Sequence, residues 1–209
     1  MLRVFITVVC IGALIGIAGC AEPGLSKAEK EDGFVALFNG KNLKKGWETS
    51  GQAKWVVENG ELIGSQGEDN APGDLFTSES YSNFELKCVY RAKWPCNSGV
   101  WFRYQSPEKA YQADILEYTN PECYSGTLYC PGKMFLAMNE DKSLVNRQEW
   151  NTINVRANGD RIQIWLNGAK VADVRDTTTD SGKIGFQVHP GAEFGSMKII
   201  VRELLLKEL

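Results

Sequence analysis

The stretch Asn97–Tyr104 reads NSGVWFRY, and after the connection Gln105–Ala110 the stretch Tyr111–Glu117 reads YQADILE. Strand side chains alternate between the two faces of a sheet. On that period Val100, Phe102 and Tyr104 share one face of the first stretch, and Trp101 and Arg103 share the other. In the second, Tyr111, Ala113 and Ile115 oppose Gln112 and Asp114. Pairing the two as a hairpin predicts one surface carrying Arg103, Trp101, Gln112 and Asp114. A cation, a carboxylate, an amide and a flat aromatic suit a polar ring such as a sugar. The plainer reading is the solvated side of an antiparallel sheet.

The same alternation extends outward. From Phe34 onward, short segments recur every ~8–12 residues between turn residues, as in a β-sandwich. Lys54–Val57 and Glu61–Ser65 flank Glu58-Asn59-Gly60, a hairpin signal. Asn83–Ala92 alternates Phe84, Leu86, Cys88 and Tyr90 against Glu85, Lys87, Val89 and Arg91. Trp150–Ala157, Arg161–Leu166 and Ala169–Arg175 form a meander, with turns predicted at Asn158-Gly159 and Asn167-Gly168. Asn120–Asp141, rich in Pro, Gly and Cys, reads as an excursion over the sheet with one short strand near Gly126–Cys130. Nothing reads as a helix longer than a couple of turns. Lys183–His189 repeats the opening pattern, with Ile184, Phe186 and Val188 against Lys183, Gly185, Gln187 and His189. Three polar rows with compatible chemistry predict a shared concave site.

Residues 33–209 read as a single domain, large enough for a core without metals. The formal charge is −3 with no Lys/Arg cluster, which excludes nucleic acid as a partner. Arg3 and the apolar run Val4–Ile17 form a signal peptide over residues 1–19, too short to span a membrane. Ile17-Ala18-Gly19-Cys20 resembles the lipobox of bacterial lipoproteins, which implies cleavage before Cys20 and its acylation. The expectation is a lipid-anchored protein of the bacterial cell envelope, facing the periplasm or the exterior, with the outer membrane favoured by Ala21 if the cell has one. Residues 20–32 are charged, lack apolar periodicity and read as a tether. An exported domain with Cys88, Cys96, Cys123 and Cys130 invites disulfides. Local pairing, Cys88 with Cys96 and Cys123 with Cys130, is slightly favoured over Cys96 with Cys123 or Cys130.

Several motifs, in order, resemble the 3-keto-disaccharide hydrolase domain family across the whole mature chain. They are Leu37-Phe38-Asn39-Gly40-Lys41-Asn42-Leu43 with Gly46-Trp47, and Trp55–Leu62. Asn97-Ser98-Gly99-Val100 with Phe102-Arg103, and Gly185-Phe186-Gln187-Val188-His189, complete the match. The resemblance implies a concanavalin A-like jelly roll of two antiparallel sheets. It also implies cleavage of glycosidic bonds in sugars oxidised at C3, through C2 proton abstraction, elimination and hydration. One departure matters: where many members read E-x-Q-[IV]-L-[DE], this chain has Gln112-Ala113-Asp114-Ile115-Leu116-Glu117. The acid and the amide have exchanged places, or the acid's role is lost and the domain only binds carbohydrate.

Such chemistry needs a general base, a donor for an enolate oxygen and an acid for the leaving group. Asp114 is the candidate base. Arg103 would hold the oxyanion, unless it is a cross-strand partner of Asp114. His189 would act as acid or base, and Glu117 as a second acid if the strand bulges or ends before it. Gln112, Gln187 and Asn97 suit hydroxyl recognition, and Trp101 or Tyr129 could stack on the sugar. Asp114, Glu117 and His189 could together hold a divalent metal, although their spacing matches no recognisable metal motif.

Overall fold

A computed structural model describes residues 25–209; the signal peptide, Cys20 and the first part of the tether lie outside them. The elements begin with a short helix α1 (Lys27–Glu31), then β1 (Val35–Ala36), β2 (Trp47–Gly51), β3 (Lys54–Glu58) and β4 (Glu61–Ser65). There follow β5 (Gly73–Tyr81), β6 (Phe84–Lys93), β7 (Asn97–Ser106), β8 (Lys109–Thr119), β9 (Glu122–Cys130) and β10 (Met134–Asn139). The chain closes with β11 (Asn151–Asn158), β12 (Arg161–Leu166), β13 (Ala169–Arg175), β14 (Gly182–Val188) and β15 (Lys198–Glu208).

The strands form two antiparallel sheets, the jelly-roll sandwich expected from the sequence. The eight-stranded sheet runs β13-β12-β11-β6-β15-β4-β3, with β1 also paired to β15. The seven-stranded sheet runs β10-β9-β8-β7-β14-β5-β2. Between them lies one large core. Val100, Phe102, Ala113, Ile115, Ile184 and Phe186 face Phe84, Leu86, Ile153, Val155, Ile164 and Leu204, all buried. Burying each large apolar side chain contributes roughly 1.5–3 kcal/mol. A one-residue slip of β7 or β8 would turn that row to solvent, so the register is pinned.

Two turns follow the sequence and one shifts. At Asn59-Gly60 and Asn167-Gly168 both residues have positive φ, the type I′ geometry that suits a tight hairpin. The third falls on Gly159 and Asp160, because Asn158 remains in the ladder opposite Arg161. Only Gly159 has positive φ there (57°).

Three expectations are corrected. Asn120–Asp141 is not an excursion: β9 and β10 pair with each other and extend the seven-stranded sheet to its edge. Part of the tether is seated on the domain. Ser26 and Glu29 form a capping box on α1, Lys87 Nζ donates to Glu29 (2.6 Å) and Glu203 (3.2 Å), and Lys207 Nζ donates to Asp32 (2.9 Å). Finally, Cys88, Cys96, Cys123 and Cys130 are free, buried thiols. Cys123 and Cys130 sit at opposite ends of β9. At about 3.3 Å of rise per residue they stand roughly 20 Å apart, beyond any disulfide's reach. Burial pushes the Cys88 thiol up and the Cys96 thiol up to about 12.

Candidate functional site

The outer face of the seven-stranded sheet is built in rungs. Asp114 of β8 lies opposite Gly99 of β7, Gly99 opposite Gln187 of β14, and Gln187 opposite Asp74 of β5. One step along, Tyr129, Gln112, Trp101, Gly185 and Phe76 form the next rung. One step the other way, Leu116 lies opposite Asn97, whose carbonyl accepts from the backbone N–H of His189 at 3.3 Å. The alternation of β7, β8 and β14 therefore delivers its polar rows to one surface.

That surface holds a cavity of about 250 Å³. Asn97, Gln112, Asp114, Tyr129, Gln187 and His189 all line it. Gly99 makes room on its floor, since a Cβ there would sit 2.4 Å from Cδ of Gln112. The Gln112 amide lies across that glycine and donates from Nε2 to Oε1 of Gln187 (3.3 Å). Gln187 is thereby left with its own NH2 for a ligand, and Gln112 with its carbonyl oxygen. The Nδ1–H of His189 donates to the carbonyl of Pro190 (2.7 Å), since a carbonyl only accepts. Nε2 is then the free ring nitrogen. Gln66 holds the loop in place, donating from Nε2 to the carbonyls of His189 (2.7 Å) and Gly191 (2.9 Å).

Asp114 is the unusual member. It is 2% exposed, and no hydrogen bond reaches its carboxyl group from the described residues. Burial alone pushes its pKa well above the ordinary carboxylate range. Such a carboxyl keeps its proton to higher pH and, once ionised, is a stronger base than an exposed aspartate.

Three expected site residues stand elsewhere. Arg103 does not share a face with Asp114. It adopts φ of 49° in a bulge, and pairing on β7 shifts between Phe102 and Ser106. The inserted residue reverses the parity. Tyr104 turns to the outer face, where it stacks on Phe76 at 4.1 Å, and the Arg103 guanidinium is buried beneath the loops at the sheet's end. Its Nε donates to the carbonyl of Ser82 (2.7 Å), Nη1 to those of Gly159 (2.8 Å) and Thr179 (3.5 Å), and Nη2 to Oδ1 of Asn83 (3.2 Å). It stitches three connections together and touches no cavity residue.

Glu117 has the opposite parity from Asp114 and pairs with Arg147 outside the cavity. The set Asp114, Glu117 and His189 is therefore not assembled for a metal. Among the described residues no cluster of three or more metal-ligating side chains occurs. Trp101 does lie on the outer face, opposite Gln112, but it is buried under Tyr104 and Tyr129 and donates from Nε1 to Oδ1 of Asp74 (2.8 Å).

Sequence reasoning missed two contributions. Met134 and Phe135 of β10 close one side of the cavity, hidden by the misreading of Asn120–Asp141. Asp74 is a second half-buried acid on the Asp114 rung, and burial raises its pKa too, against the lowering effect of the Trp101 N–H. The alternation of Asp74 and Phe76 with Leu75 and Thr77 was the available signal. Three strand spacings separate Asp74 from Asp114, about 14 Å at ~4.8 Å each. That exceeds the ~5–9.5 Å between paired carboxyls that act on one glycosidic bond.

Solved structures with the same fold include a glycosyl hydrolase candidate from Parabacteroides distasonis. Its TM-score is 0.69 at 21% identity, covering 90% of this chain and 100% of its own. The carbohydrate binding module CBM66 from Bacillus subtilis gives 0.54 at 18% identity, covering 78% and 96%. The Emp47p carbohydrate recognition domain gives 0.57 at 13%, covering 85% and 95%. No curated protein matches the chain. A family model matches residues 33–200, most of the described chain, and by that match the chain belongs to the 3-keto-alpha-glucoside-1,2-lyase-like domain family.

Proposed function

We propose that the outer-face cavity binds a 3-keto-glycoside and that Asp114 starts its cleavage by removing the proton on C2. The observation that carries this reading is a buried carboxyl with no hydrogen-bond partner among the described residues, on the floor of a cavity whose other lining includes amides, an imidazole and aromatic rings. Family membership and the carbohydrate-binding neighbours support a sugar as the ligand. Gln112 and Asp114 line the same cavity, so the exchange of acid and amide along β8 keeps a carboxyl in the site.

The C3 carbonyl acidifies the C2 proton. As Asp114 takes that proton, the C2–H electrons form the C2=C3 enolate. The NH2 group of Gln187 is the donor the amide pair leaves free for the enolate oxygen, and Asn97 supplies another. The enolate collapses to a C1=C2 double bond, restores the C3 carbonyl and expels the leaving-group oxygen from C1. His189, in the form that carries a proton on each ring nitrogen, delivers the one on Nε2 to that oxygen and regains it from the water of the next step. Water then adds across the double bond, hydroxyl to C1 and hydrogen to C2, releasing the 3-keto sugar. Tyr129 offers a ring face to the sugar.

The test is to incubate the purified domain with methyl 3-keto-glucoside, with and without a chelator. Transient enone absorbance and released methanol are expected in both. Binding without turnover, at any metal supplement, would overturn the catalytic reading and leave a carbohydrate-binding domain.

A further inference from the structure

A second cavity, of about 320 Å³, adjoins the first. Leu116 of β8 lines both, so the two meet at that residue. The second lies where the β6–β7 connection, β9 and the β10–β11 connection meet. Its walls are Trp94, Tyr124, Leu116 and Val145. Glu117 and Arg147 pair with each other across it, and the Arg147 guanidinium lies 5.0 Å from the centroid of the Trp94 ring.

The two cavities differ in chemistry. The first offers amide donors and acceptors, a carboxyl and an imidazole. The second offers ring faces and aliphatic carbon, its acid and guanidinium pair with each other, and its one further charge, Lys142, is an exposed side chain. A second hexose would bring hydroxyls on every edge, and each one buried without a partner costs about 1–3 kcal/mol. A flat apolar group would instead lie against the indole and the phenol ring.

We propose that this cavity is the leaving-group subsite, and that it selects glycosides with an aromatic aglycone over those carrying a second sugar. The proposal rests on the reading of the Asp114 cavity as the sugar site. It makes Trp94 and Tyr124 specificity residues that take no part in the proton transfers.

Inert glucosides separate binding from chemistry. Calorimetry should show phenyl glucoside binding about tenfold more tightly than methyl glucoside, with maltose no tighter than methyl glucoside. In the NMR spectrum of the unmodified protein, the Trp94 indole N–H should shift with phenyl glucoside and stay fixed with methyl glucoside. Trp94→Ala should bring the affinity ratio close to one and leave methyl glucoside binding unchanged. A ratio near one in the unmodified protein, tighter binding of maltose, or an unmoved Trp94 signal overturns the subsite. If methyl 3-keto-glucoside is also neither bound nor cleaved, the reading of the Asp114 cavity falls and this proposal with it. Should Trp94→Ala fail to fold, the affinity ratio and the indole signal of the unmodified protein still decide.

Discussion

Arg103 and Asp114 stand on neighbouring strands, both carry an ionisable group, and both are almost wholly buried, at 1% and 2% exposure. Their surroundings are opposite. The guanidinium meets carbonyl oxygens from three connections and a side-chain amide; the carboxyl meets no donor among the described residues and opens on a cavity. A buried charge with its hydrogen bonds matched holds structure together. A buried acid left unmatched weakens the fold and is tolerated where chemistry needs it. Burial and charge alone do not separate the two cases; the count of partners does.

The strongest way to break this contrast is Asp114→Asn. As the general base, Asp114 should be worth about 10²–10⁴ in rate, so turnover of methyl 3-keto-glucoside should fall by that factor. Stability should not fall. The folded pKa of Asp114 lies above its unfolded value, so between the two the folded state binds more protons. The fold therefore loses stability as pH rises from about 4 through the folded pKa. The amide removes that loss, and urea unfolding at neutral pH should show the variant equal to or more stable than the parent. Near-normal turnover, or a marked loss of stability, would end the base assignment.

Arg103→Met tests the other half. It removes the cation and leaves the carbonyls of Ser82 and Gly159 without their donor, which should cost about 3–5 kcal/mol in urea or thermal unfolding. Where the variant is still folded, its affinity for methyl glucoside should match the parent's. A stable variant that no longer binds sugar would return Arg103 to the site.

The contrast also marks how far the sequence could be read. Alternation is reliable where the ladder is unbroken, and Gln112, Asp114 and Gln187 fall on such runs, so their shared surface was legible from period two. Arg103 lies one residue past an unbroken run. Nothing in Phe102-Arg103-Tyr104 signals a left-handed residue there, where β7 shifts register against both β8 and β14. The disulfides failed for a related reason. Export and an even cysteine count invite pairing, but once Glu122–Cys130 is one extended strand, its rise keeps Cys123 and Cys130 apart. That strand was obscured by Pro121 at its start, and β10 by Pro131 and Gly132 before it.

Asp74 sharpens the comparison with the smallest effect. It lies on the Asp114 rung, is raised in pKa by the same cause, and differs in accepting one hydrogen bond, from the Trp101 indole at 2.8 Å. Asn at this position keeps an oxygen for that N–H and removes the ionisable group. Its distance from Asp114, about 14 Å across three strand spacings, also puts it out of reach of the bond under attack. Asp74→Asn should therefore change turnover less than about threefold and unfolding by under about 1 kcal/mol, with any change at neutral pH in the stabilising direction. A loss of turnover as large as that of Asp114→Asn would mean that the working acid sits under Trp101, and that an unpartnered carboxyl is the wrong mark of the site in this sheet.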